Sequence, residues 1–194
     1  DMSYMFCKCT SVKELNFLNF DTRNVETMER MFESCSNLTY LNLSSFKTPK
    51  LTSMQSLFRS LISITSIDMS NFITDNVLTM RLLFDGCNNL KSIDVSNFNT
   101  EKVEDMSFMF NECNSIKELS LNNFNTSNVE EMLCMFAYDR QLTSLNLSNF
   151  DTSKNTDFSF MFRECNKLID LDISSFNTSS GKEMYYMFSN CYAL

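Results

Sequence analysis

The stretch Met106 to Thr126, MSFMFNECNSIKELSLNNFNT, decides the fold. Reduced to its recurring positions it reads Met-x-x-Met-Phe-x-x-Cys-x-x-Ile-x-x-Leu-x-Leu-x-x-Phe-x-Thr, and the same line runs through the whole chain. Phe6, Phe32, Phe58, Phe84, Phe110, Phe136, Phe162 and Phe188 stand 26 residues apart without insertion or deletion. Phe20, Phe46, Phe72, Phe98, Phe124, Phe150 and Phe176 form a second row, and Thr22, Thr48, Thr74, Thr100, Thr126, Thr152 and Thr178 a third. Self-similarity at a period between about 20 and 50 residues marks a solenoid or array, stabilised by contacts between neighbouring units.

Within one unit, Met28, Met31, Phe32 and Cys35 fall at i, i+3, i+4 and i+7, which predicts a short helix with Asn24 as its N-cap. Leu38, Leu41 and Leu43 follow as Leu-x-x-Leu-x-Leu, which suits a short strand. The expected architecture is an α/β repeat solenoid: a leucine-rich-repeat stack with a parallel concave β-sheet and short convex helices. Strands are expected near Leu15–Phe17, Leu41–Leu43, Ile67–Met69, Ile93–Val95, Leu119–Leu121, Leu145–Leu147 and Leu171–Ile173, with both phenylalanine rows buried. Residues 1–194 read as one solenoid of about 7.5 repeats. The chain starts and stops inside a repeat, so a fragment of a longer chain is expected, with polar caps missing at both ends.

A leucine-rich repeat usually closes its Leu-x-x-Leu-x-Leu segment with an asparagine that satisfies the turn. Here phenylalanine stands in that position, and the residue before it is always Asn or Ser: Asn19, Ser45, Asn71, Asn97, Asn123, Asn149 and Ser175. This row and the threonine row are expected to satisfy the turn's backbone groups. With Met-Phe-x-x-Cys upstream, the pattern resembles the BspA-type leucine-rich-repeat surface proteins, and its 26-residue form is similar to repeats in mycoplasma lipoproteins and other microbial surface proteins. The resemblance implies a cell-surface or extracellular protein that mediates adhesion or protein–protein interaction. The alternative is a structural stalk, coat or filament component that self-associates.

Composition narrows the function classes. A net charge of -8 argues against nucleic acid and against an anionic membrane surface. No run reaches the roughly 18 to 20 apolar residues of a spanning helix, so direct membrane insertion of this segment is not expected. There is no histidine, hence no Cys–His or Ser–His pair, and with only Gly86 and Gly181 there is no phosphate-cradling loop. No catalytic residue, metal ligand set or cofactor is expected, and the chain reads as a non-enzyme. Six of the eight cysteines share one slot (Cys9, Cys35, Cys87, Cys113, Cys165, Cys191), which Leu61 and Asp139 fill in the other two coils. Buried thiols and disulfides between adjacent coils (Cys9–Cys35, Cys87–Cys113, Cys165–Cys191) are both open at this point. The fourteen methionines mostly form helix-face rows that read as adaptable core. Asn-x-Ser/Thr sequons occur at Asn37, Asn42, Asn125, Asn146 and Asn177.

Two surfaces are candidates for a partner. The concave face, from positions alternating with the strand leucines, is small, polar and mildly acidic, with Tyr40, Asp68, Asp94, Glu118, Asp170 and Asp172 as its distinctive residues. The convex face carries a row half a helical turn from the core: Tyr4, Arg30, Ser56, then Leu82, Phe108, Cys134, Phe160 and Tyr186. From Leu82 onward each coil places a large apolar residue or a cysteine where water is expected, with Leu133, Tyr138 and Tyr185 beside the row. A continuous apolar stripe marks an interaction surface, with Cys134 a candidate for cross-linking chains. The expected partner is a protein or a second copy of the chain.

Overall fold

The computed structural model describes residues 1–194 as a stack of 26-residue coils. All inter-coil pairing is parallel. Strand β1 (Tyr40–Asn42) pairs with β2 (Ser66–Asp68), and β3 (Ser144–Asn146) with β4 (Asp170–Asp172). The bridges Thr27–Ser53, Ser53–Thr79, Thr79–Asp105, Asp105–Glu131, Glu131–Asp157 and Asp157–Glu183 continue the pairing along the opposite side. The strands sit one residue earlier than expected from the leucines. Leu15–Phe17, Ile93–Val95 and Leu119–Leu121 form none, although Glu118 still bridges Ser144. Pairing there is loose, the Lys91 N–H reaching the Thr65 carbonyl only at 3.5 Å. Other contacts hold these coils in register, so the short strand is dispensable.

The convex helices are not there. In place of a helix, Met28 to Cys35 is a string of tight turns. The N–H groups of Met31, Glu33 and Cys35 donate to the carbonyls of Met28, Arg30 and Phe32, three residues back. Those of Met28, Arg30, Phe32 and Ser34 donate instead to Ser53, Gln55, Leu57 and Arg59 of the next coil, at 2.8–3.4 Å. A helix would return every N–H to its own segment, four residues back; here half of them tie one coil to the next. The alternation bends the chain at every fourth residue, and the bend residues have positive φ. Fifteen of these are not glycine, among them Arg30 (54°), Ser34 (59°), Phe108 (59°) and Tyr138 (64°); Gly86 (73°) is the sixteenth. Asn24 caps no helix; its Oδ1 accepts the Lys50 ammonium at 2.8 Å.

Both phenylalanine rows are buried in the interior coils, and only the end members Phe6, Phe20, Phe176 and Phe188 are partly uncovered. The rings of Phe6 to Phe188 stack face to face along the axis, with centroids 5.5–6.1 Å apart and planes within 15°. Offset stacking at this separation favours in-register coils beyond simple area burial.

The threonine column takes over the turn, as the sequence implies. Thr48 Oγ1 donates to the Ile73 carbonyl at 2.9 Å and accepts the Ile73 N–H at 2.9 Å. Thr22, Thr74, Thr100 and Thr152 make the same two-way contact with the coil above. The Asn/Ser column reaches the other way: Asn97 Nδ2 donates to the carbonyls of Met69 and Phe72, and Asn123, Asn149 and Ser175 repeat the contact. All eight cysteines are free. The column thiols of Cys35, Cys87, Cys113, Cys165 and Cys191 donate to the carbonyls of Phe6, Phe58, Phe84, Phe136 and Phe162. Burial pushes Cys35 up to about 11 and Cys87 up to about 12, so both are inert thiols.

The irregular seventh coil compensates itself. Asn155 replaces the valine of Val25, Val77, Val103 and Val129, and Phe158 replaces a methionine. Gly181 makes room, since a Cβ there would lie 3.0 Å from Phe158 Cε2 and 2.8 Å from Met184 Cε.

Candidate functional site

The concave face is a row of turns. Asp68, Asp94 and Asp172 each accept, through Oδ1, the N–H two residues on, from Ser70, Ser96 and Ser174 at 3.0 Å. Asn16, Asn42 and Asn146 do the same for Leu18, Ser44 and Ser148. The Ser96 and Ser174 hydrogen bonds hold Asp94 and Asp172 below the usual carboxylate range. Asp68 and Asp172 therefore close strands β2 and β4, and Asp94 closes the equivalent turn in a coil without a strand. Tyr40, half exposed, lies on β1, and Glu118 and Asp170 are exposed without a hydrogen-bonding side-chain partner. No group of three or more Cys, Asp and Glu side chains has metal-holding geometry. The signal for this role was in the sequence: an Asx or Ser slot in every coil, followed two residues later by Ser in all but the Leu18 and Asn122 coils, in a chain with two glycines.

The convex side is different. Its outer row is the first row of positive-φ bends, running from Tyr4 and Arg30 to Tyr186, so each side chain stands at a corner of the coil. Leu82, Phe108 and Phe160 are half-buried, Tyr186 is 66% exposed, and Tyr185 beside it is 61% exposed. Ser56 and Cys134 are buried. Burial pushes the Cys134 thiol up to about 11, so the residue named as a cross-linker offers neither access nor a thiolate. The row is a ridge of partly covered rings, Phe160 stacking on Tyr186 at 5.5 Å and 14°.

Arginines lie against these rings. Arg30 sits over Tyr4 at 5.7 Å and Arg81 over Phe108 at 5.4 Å. Arg163 lies 5.4 Å from both the Tyr138 and Phe160 centroids and 6.0 Å from that of Tyr186. Arg140 meets Tyr138 at 5.6 Å. Beside the ridge runs a polar ladder that alternation alone did not suggest. Glu33 Oε1, Arg59, Asp85 and Asn111 link successive coils at 3.3, 2.8 and 2.6 Å. Glu33, Asp85 and Asn111 are buried, and the Asp85 hydrogen bond holds Arg59 above its usual value. Five of the chain's six arginines lie on this side, all but Arg23. Arginine offers a flat cation over aromatic faces and a fork for carboxylates, so the ridge combines both kinds of contact used at protein interfaces.

Solved structures similar to this chain come from three bacteria. A leucine-rich-repeat protein of T. pallidum is 14% identical, with a TM-score of 0.48 over 80% of this chain and 78% of that one. A leucine-rich-repeat protein of Bacteroides ovatus is 18% identical, with a TM-score of 0.44 over 80% of this chain and 44% of that one. A leucine-rich cell surface protein of Faecalibacterium prausnitzii is 15% identical, with a TM-score of 0.28 over 99% of this chain and 67% of that one. No curated protein matches. No helix is long and apolar enough to cross a membrane. One family model, described as "Mycoplasma protein of unknown function, DUF285", matches residues 1–118 and 83–194.

Proposed function

Starting from a chain that belongs to the DUF285 family, we propose a repeat scaffold for protein–protein interaction, displayed at the cell surface, whose contact surface is the convex ridge. The observation that carries this reading is the line of corner residues Leu82, Phe108, Phe160 and Tyr186. All four stand at positive φ and are partly uncovered, and the rings of Phe108, Phe160 and Tyr186 are loaded with arginine. Fixed rings lose little rotamer freedom on binding, which lowers the cost of association. The surface location rests on the resemblance to BspA-type proteins. Adhesion to another cell's protein is the corresponding role. No residue constellation supports catalysis.

The test is panning a displayed peptide library against the wild-type chain, then measuring the enriched peptides on a Phe108→Ser/Phe160→Ser double variant. Loss of binding by tenfold or more is expected; peptides that bind both forms alike would remove the ridge from consideration. A second reading, a self-associating stalk or filament, draws on the identical backbone ladder that every coil offers the next. Static light scattering of the purified chain separates the two, since a filament former assembles without any added partner.

A further inference from the structure

The column of the polar ladder beside the ridge holds arginine twice, at Arg59 and Arg163, and the carboxylates available to the two differ. Arg59 has Glu33 one coil before it and Asp85 one coil after, and it bonds both, at 3.3 Å and 2.8 Å. Arg163 has Ala137 one coil before and Ser189 one coil after. It makes no ion pair and no side-chain hydrogen bond, and its Nε–H is enclosed without an acceptor. The nearby carboxylates are engaged elsewhere. Glu164 accepts Asn190 Nδ2 at 2.6 Å and faces Arg140 at 3.9 Å, and Asp157 accepts the Ser159 N–H at 2.7 Å. Three rings, Tyr138, Phe160 and Tyr186, hold the guanidinium in place without neutralising it.

We propose that Arg163, framed by Tyr138, Phe160 and Tyr186, is a docking site for a carboxylate side chain on an acidic segment of a protein partner. The incoming carboxylate does for Arg163 what Glu33 and Asp85 do for Arg59. A planar guanidinium clamped by rings offers its remaining N–H groups as a fork, the geometry a carboxylate matches with two parallel bonds. Tyr138 and Phe160, both half-buried, shield the guanidinium in part, so the pair forms in a partly desolvated setting where it is stronger than on an open surface. Arg140, against the other ring contact of Tyr138, adds a second cation at the rim. This inference rests on the ridge being an interaction surface and states the chemistry recognised at one point along it.

The test uses the full chain and two short peptides capped at both ends, one of glutamate alone and one of glutamine alone, equal in length and at matched ionic strength. Binding is read from the Arg163 Nε–H resonance and from tyrosine fluorescence. The glutamate peptide is expected to shift both saturably and the glutamine peptide neither. Arg163→Gln should weaken binding at least tenfold and Arg163→Lys nearly as much, while Arg23→Gln, off the ridge and paired with Asp21 at 2.7 Å, should leave it unchanged. Ala137→Glu, which supplies the missing carboxylate from within, should abolish peptide binding and raise the thermal midpoint. Equal binding of the two peptides, or an Arg163→Gln variant within twofold of wild type, overturns the proposal. If Ala137→Glu does not fold, the Arg163 variants decide. Phe108→Ser, two coils away, separates this inference from the ridge reading. Library peptides lost on that variant, with no glutamate-peptide effect at Arg163, retain the ridge and reject the carboxylate site. Glutamate-peptide binding lost with Arg163 alone does the reverse.

Discussion

Asp139 occupies the slot that six other coils give to cysteine, and it is 2% exposed. Its Oδ1 accepts the Cys113 N–H at 2.9 Å, and burial between the thiols of Cys113 and Cys165 raises its pKa well above the carboxylate range. The acid is therefore more easily ionised in the unfolded chain than in the folded one. Stability is complete below the unfolded value of about 3.9 and falls by about 1.4 kcal/mol per pH unit above it, until the folded pKa is passed. Asp139→Asn keeps the acceptor and removes the charge. Its stability should match wild type near pH 4 and exceed it increasingly as the pH rises until the folded pKa of Asp139 is passed, measured by urea denaturation from pH 4 upward. Asn155 is a second misfit, fully buried with Oδ1 unpartnered where four coils have valine. Asn155→Val should stabilise by about 1–2 kcal/mol, read from the same denaturation curves.

The turn segment is where sequence reading and structure part. Its apolar residues recur at Met28, Met31, Phe32 and Cys35, and over so short a stretch a bend every fourth residue imitates a helical turn every 3.6. The core and the outward row were legible because both geometries put Phe32 inside and Arg30 outside. The backbone was not, since nothing in Glu29-Arg30-Met31 announces a positive φ that fourteen other non-glycine corners share. Gly86 is the one corner built from the residue best suited to it. Gly86→Ala should cost about 1 kcal/mol, and the exposed corner variant Glu112→Gly should gain a similar amount; thermal unfolding of the pair checks both signs. On the ridge, the rings at Phe108 and Phe160 were legible from spacing alone. The pairing of Arg59 with Glu33 and Asp85, and its absence at Arg163, required the coils to be laid one on another.

Across the whole molecule the coils are joined by backbone ladders, stacked rings and the threonine column, and the hydrophobic core runs along the stack as contacts between neighbours. Coupling is between neighbours, so damage in the middle should divide the stack. Thr100→Val removes both contacts with Asn125, 2.9 and 2.8 Å, and leaves a partly buried N–H and carbonyl without partners. The expected cost is about 2–4 kcal/mol, with one calorimetric transition becoming two; a single sharp transition would mean that cooperativity spans the break. The convex ladder also has a direction. In each interior coil up to four of its N–H groups point towards higher residue numbers, from Met28, Arg30, Phe32 and Ser34 onward, against one or two that point back, as from Thr52 to Glu26. Peptide dipoles aligned this way add instead of cancelling. The solenoid is thus a polar needle with its positive pole at the last coil, opposite in sense to an α-helix, and it should orient along its own axis in an applied electric field.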